Sequence, residues 1–123
     1  MQRAHPQFLS IRPFRGTVTV RFMDAVLASS HDALMVGHEG ADEQVFIPFN
    51  DIYFELLAQS DSHEACPVKG EASLWTIQAM GRAETDAMRS YGANDLSARL
   101  RNYGTFDPSK VSIEQTREDA RVA

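Results

Sequence analysis

Apolar and polar residues alternate with a period of two along much of the chain, the spacing of strands that bury one face. In TVTVRFM, Val18, Val20 and Phe22 fall on one face while Thr17, Thr19 and Arg21 fall on the other. Met23 and Asp24 offer a turn. AVLAS and ALMVGHE read as two more short strands, separated by the polar turn Ser29 to Asp32, and VFIPF, after the polar loop EGADEQ, as a strand ended by Pro48. NDIYFELLAQ is ambiguous. Asn50 or Asp51 can cap a helix, yet Ile52, Phe54 and Leu56 alternate with Tyr53 and Glu55, which favours a turn followed by a strand.

ASLWTIQAM, closed by Gly81, is rich in β-formers and predicts a central strand, and AETDAMRSY a weaker strand or irregular segment. NDLSARLRNYG predicts one short helix, with Asn94 or Asp95 as cap, Leu96 and Leu100 on one face, and Gly104 as the stop. FDPSK is a turn, VSIEQ a last strand, and TREDARVA a charged tail, frayed or weakly helical. The resulting fold class is mainly β: a curled antiparallel sheet or partly open barrel with one short late helix. Residues 1–16 read as a basic arm, 17–114 as a single β domain and 115–123 as a charged tail.

A chain of 123 residues, 43% hydrophobic and 24% charged, suits one compact domain. Its single cysteine cannot form an internal disulfide, and no secretory leader pattern or long apolar run is present. These features predict a soluble, cytoplasmic chain without a membrane partner. The net charge of −5 is unevenly spread: Arg3, Arg12, Arg15 and Arg21 precede the first acid, whereas Phe22 to Glu71 carries ten acids and one base, Lys69. An acidic block repels phosphate backbones, and the basic arm lacks interleaved aromatics, so nucleic acid is not an expected partner.

Candidate chemistry concentrates in SHEACPVKGEASLW, which holds the only cysteine, the only tryptophan and one of two lysines. In Cys-Pro-x-Lys-Gly, Pro67 suits the second position of a β-turn, which would bring the Cys66 thiol near the Lys69 ammonium and favour the thiolate. Against that, free cysteine is often buried as a small hydrophobe, and Lys69 has many carboxylates to pair with. Lys69 can also present its charge to an anionic ligand, with Gly70 allowing close backbone approach. Trp75 and Tyr91 are candidate stacking walls, although Trp75 reads more simply as the central core aromatic of a small β domain. Asp61, His63, Glu64 and Cys66 do not amount to a structural zinc set without a second cysteine, GHEG lacks the second histidine of a zinc helix, and no metal or cofactor is expected. No serine sits in a nucleophile elbow.

The succession VTVRF, AVLASS, ALMV, VFIPFNDI, FELLAQSD, CPVKGEASLW and RSY resembles the DUF427 family, which also carries a nucleotidyltransferase-like label. The likeness is most specific at C-P-x-K-G-x-A-x-x-W and covers roughly Thr17 to Tyr91. It implies a curled sheet of the Mss4-like or β-tent type without zinc cysteines. It also implies a site supported by Cys66, Pro67, Lys69, Gly70, Ala72 and Trp75, with Pro48, Asp51, Glu55, Leu57 and Ser60 upstream. Val68 and Arg89 replace aromatics common in the family, which weakens an aromatic cage, and VSIEQ is the expected closing strand. Two functions are compatible with these residues. One is binding of, or action on, an anionic or nucleotide-like small molecule, with Cys66 and Lys69 as catalytic candidates and Asp51, Glu55, Ser60, Gly70, Trp75 and Tyr91 as ligand contacts. The other is a noncatalytic protein or peptide interaction module.

Overall fold

A computed structural model describes residues 9–38, 42–66, 70–92 and 98–118. Among these residues, ten strands form two antiparallel sheets. The strands are β1 (Leu9–Pro13), β2 (Gly16–Phe22), β3 (Ala25–Ser30), β4 (Leu34–His38), β5 (Gln44–Pro48), β6 (Leu57–Cys66), β7 (Gly70–Ala79), β8 (Arg82–Tyr91), β9 (Tyr103–Phe106) and β10 (Ser112–Arg117). Seven of them make one sheet in the order β1-β4-β5-β9-β8-β7-β6, and three make the other in the order β10-β2-β3. The larger sheet stays open, with β1 and β6 as its edges.

Alternation explains how the two sheets meet. Val18, Val20 and Phe22 of β2 and Leu27 of β3 pack in one buried cluster with Met35, Val45, Ile47, Ile77, Met88 and Phe106 of the larger sheet. The intervening residues of that sheet point the other way, where Leu34, Val36, Phe46, Ala72 and Tyr91 form a second cluster closed by Leu100. A strand covered on both faces reads as a continuous apolar run, which is why LMV and VFI show no alternation. Leu100 is fully buried on a 3-10 turn, Ala98–Leu100. This turn is the only helical structure among the described residues of the predicted late helix; its cap residues Asn94 and Asp95 lie outside them. From Tyr103 the chain is already strand β9, which lies between β5 and β8. The interior position is therefore filled by YGTF, while VSIEQ supplies β10 in the smaller sheet.

Two further departures from the sequence reading have local causes. IYFELL is not a strand: 3-10 turns at Phe49–Asp51 and Phe54–Leu56 flank Ile52, which bridges to Ala28, and β6 begins only at Leu57. Ile52, Phe54 and Leu56 reach the core from these turns, so burial produced the alternation without a ladder. β1 starts within the basic N-terminal segment and pairs with β4 from Leu9↔His38 to Pro13↔Leu34. Its Arg12 donates two hydrogen bonds to the Glu43 carboxylate, at 2.9 and 3.1 Å. Arg12 thereby offsets one carboxylate of the acidic middle of the chain.

Arg89 of β8 holds Glu64 of β6 across β7, with Nε to Oε1 at 2.6 Å and Nη2 to Oε2 at 3.2 Å. These bonds keep the Glu64 carboxyl below its usual range and raise the Arg89 guanidinium. The depressed carboxyl contributes stability above its unfolded value, and that contribution is lost as the pH falls through its folded value. Because the Glu64 side chain is 52% exposed, solvent screening limits the pair to less than about 1 kcal/mol. Glu64→Gln should therefore lower stability modestly at neutral pH. Urea titrations taken down through the acidic carboxylate range should show the difference from the parent closing.

Gly16 is the tightest backbone position. Its φ is +149°, and a Cβ would lie 2.1 Å from the Thr116 carbonyl oxygen in the paired strand β10. Backbone cannot yield as a flexible side chain does. Gly104 would press a Cβ to 2.7 Å from Met88 Sδ and 3.2 Å from Ile52 Cδ1, which are side-chain atoms. Thermal unfolding should show Gly16→Ala losing about 2–3 kcal/mol, more than Gly104→Ala; equal losses would mean that β10 is not fixed against β2 as described.

Candidate functional site

The β6–β7 hairpin carries the residues the sequence singles out. Its register runs from Leu57↔Ile77 to Cys66↔Gly70, with a bulge in β6 between Gln59 and His63. Cys66 and Gly70 face each other at its end, so the Cys-Pro-x-Lys-Gly motif forms the connection between two long strands. Pro67, Val68 and Lys69 lie outside the described residues. Extra residues in one strand twist and bend it. Ser60, inside this bulge, accepts a hydrogen bond from the Ser62 backbone N–H at 3.0 Å, which gives it a local structural task.

Trp75 sits in β7 opposite Gln59 on one side and Met88 on the other. Its indole N–H donates to Ser90 Oγ at 2.9 Å, and the Phe54 ring lies 5.1 Å from it, itself in edge contact with Phe49 at 5.0 Å. These contacts lock the indole, a ring with a polar tip that needs a partner when buried. Trp75 is only partly buried, so a fixed aromatic surface remains accessible. Its face of the sheet is the one that packs against the three-stranded sheet, and Ser73 and His63 continue that face toward the hairpin connection.

Asp51 approaches this region from the 3-10 turn Phe49–Asp51. Its carboxylate accepts a hydrogen bond from Ser30 Oγ at 2.6 Å, while Ser30 Oγ accepts one from the Asp32 N–H at 3.0 Å. The adjacent Ile52 packs where Gly104, paired with Ser90, leaves room beside Met88. Asp51 is thus tied into the scaffold behind the Trp75 face. Glu55 is exposed on the next 3-10 turn, beside Phe54.

Tyr91 does not join Trp75. It lies on the opposite face of the sheet, 5.9 Å from the Phe46 ring in the cluster closed by Leu100. Two walls of one aromatic cage cannot come from opposite faces, so Trp75 is the aromatic surface on its side. The structure instead adds Ser90 and Phe54. Strand periodicity carries a signal for Ser90, because it lies two positions from Met88, which faces Trp75. Nothing local in FELL announces that Phe54 would stack on an indole twenty-one positions away.

Among the described residues, no group of three or more histidine, cysteine, aspartate or glutamate side chains is placed to hold a metal ion. No helix among them is long and apolar enough to cross a membrane. The other lysine, Lys110, is engaged, donating from Nζ to the Thr85 carbonyl at 2.7 Å. Arg89 of β8 is paired with Glu64 on the far face.

Replacing Ser90 by alanine leaves the indole N–H without its acceptor. The expected cost is about 1–3 kcal/mol, with a changed tryptophan emission maximum because Trp75 is the only tryptophan. An unchanged spectrum and stability would show that the bond does not position the ring.

Comparison with curated proteins gives no match. The family model described as a domain of unknown function, DUF427, matches residues 10–117, from within β1 to the end of β10, and the chain belongs to that family.

Proposed function

We propose that this DUF427 domain is a cytoplasmic binding domain for an elongated anionic, nucleotide-like small molecule that lies along β7 between Trp75 and the Cys-Pro-x-Lys-Gly connection. The observation that carries the reading is the state of Trp75: accessible, hydrogen-bonded through its N–H and fixed by Phe54. A ring held in this way offers a stacking surface to a base or other planar group at little entropic cost. Ser73, on the same face, offers a hydroxyl along the path.

Strand geometry sets the ligand's length. Gly70 and Trp75 are five residues apart in one strand, which spans about 17 Å at roughly 3.4 Å per residue. A lone phosphate cannot touch both ends, whereas a planar group joined to a phosphate chain can. In this arrangement Lys69 is the anion contact and Gly70 permits close approach, while Cys66 lines the connection. Asp51 supports the floor through Ser30, and Glu55 and Ser60 flank the path. Binding requires no activated nucleophile.

The alternative is a peptide-binding module, which one observation favours: among the described residues, β6 is a ten-residue edge strand with one side unpaired. Such an edge can accept an added strand, although the bulge interrupts it.

Trp75 makes the test direct. Titration with a nucleoside triphosphate should quench its fluorescence, and inorganic phosphate alone should not. Lys69→Ala should weaken the triphosphate at least about tenfold, equivalent to roughly 1.4 kcal/mol, while leaving the unfolding temperature unchanged. Equal binding by parent and variant would remove Lys69 as the contact. Quenching by an added peptide but by no nucleotide would favour the edge-strand reading.

A further inference from the structure

At one end of the sandwich the β2–β3 turn and the start of β8 border a single cleft. It is lined by Phe22, Met23, Arg82, Ala83 and Glu84, and its volume of about 550 Å³ falls in the range of small-molecule sites. Arg82 pairs with Ala79 and Glu84 with Ile77, and directly paired residues share a face of the sheet. Ala79 and Ile77 belong to the core cluster between the sheets. Both charged side chains therefore lie on the face that looks toward the smaller sheet.

The ion pairs among the described residues are Arg12–Glu43, Arg21–Glu114 and Arg89–Glu64, which leaves Arg82 and Glu84 outside them. Opposite these two charges, the β2–β3 turn holds Met23 54% exposed with φ at +56°, a left-handed conformation that a bulky residue rarely adopts. The turn thus carries backbone strain and keeps an apolar side chain in water at the rim of the cleft, beside the buried Phe22. One wall is apolar, and the other presents one cation and one anion.

We infer that this cleft is a second ligand site, separate from the Trp75 face, that takes a free dipeptide with apolar side chains. The dipeptide carboxylate meets Arg82, its ammonium meets Glu84, and one of its side chains rests on Met23 and Phe22. Two positions in a strand are about 6.8 Å apart, and two extended peptide residues span at most about 7 Å. The ligand's charges thus fall at the spacing of the side chains that meet them. A simple anion has Glu84 beside it and a simple cation has Arg82, whereas a molecule carrying both charges finds a partner for each. A thioether adapts to aliphatic and aromatic side chains alike, so the site reads charge spacing rather than one particular side chain. Solvent weakens exposed charge pairs, which puts the dissociation constant at about 1 mM.

The test uses the whole chain and the dipeptide Leu-Phe as the probe. In amide-resolved NMR, Leu-Phe up to about 10 mM should shift Phe22, Met23, Arg82, Ala83 and Glu84 and leave Trp75, Ser90 and the β6 edge in place. N-acetylation and C-terminal amidation of the dipeptide should each weaken binding at least about fivefold, and so should its replacement by leucine alone or by Gly-Gly. In Arg82→Gln the free and amidated dipeptides should bind equally, and in Glu84→Gln the free and acetylated ones should. Each comparison is made within one protein, so a change in that protein's stability does not imitate the result. No shifts in the parent, shifts centred on Trp75 or β6, blocked dipeptides, leucine or Gly-Gly binding as tightly as Leu-Phe, or a variant that keeps the parent's preference would each overturn the assignment. None of these readouts depends on nucleotide binding.

Discussion

The larger sheet is apolar on both of its faces through β4 and β5, and that double demand for burial organises the domain. One face is met by β2 and β3, which bring Val18, Val20, Phe22 and Leu27 against it. The other face has no second sheet and is closed by the chain around Leu100 instead. Long hairpins follow from the same demand, because a wide surface covered on both sides needs strands that run its whole length, as β7 and β8 do with ten residues each. Aromatic residues sit where the covering layer ends: Phe54 and Trp75 on one side, Phe46 and Tyr91 on the other. The position of the candidate site is thus a by-product of how far the smaller sheet extends.

Much of the fold is legible in the chain because strands with one wet face announce themselves. TVTVRF becomes β2 with the faces that alternation assigns, and Met23 and Asp24 make the turn before β3. Legibility fails where a residue's reason is distant. Gly104 resembles a helix stop in sequence, but in the structure it is required by the close approach of Met88 and Ile52. IYFELL alternates because its apolar residues reach the core from two 3-10 turns, a pattern that period counting cannot separate from a strand. LSIRP gives too little contrast to stand out as β1, and its pairing with β4 and the Arg12–Glu43 ion pair are not local signals.

The site is less legible than the fold for a related reason. The sequence marks Trp75 and Tyr91 as a pair by residue type alone, but whether two aromatics share a face depends on the register of β7 against β8. That register contains a shift between Trp75 and Ile77. Ser90 and Phe54 matter through geometry that only the assembled sheet supplies. Cys66 and Gly70, by contrast, are paired at the close of the β6–β7 hairpin, so the place of their motif between two strands is set by local pairing. It marks one end of the proposed ligand path and leaves the other end to Trp75.

The narrow join between β5 and β9 has a consequence for how the domain folds. Strands β1, β4 and β5 form one local group, and β6 to β9 form another built from successive hairpins. Within the larger sheet the two groups meet only through the two register pairs of β5 and β9, which lie more than fifty residues apart in the chain. Local hairpins close at small entropic cost, whereas this join must wait for a long loop to close. The seam is accordingly the join of highest contact order between the two halves of the larger sheet.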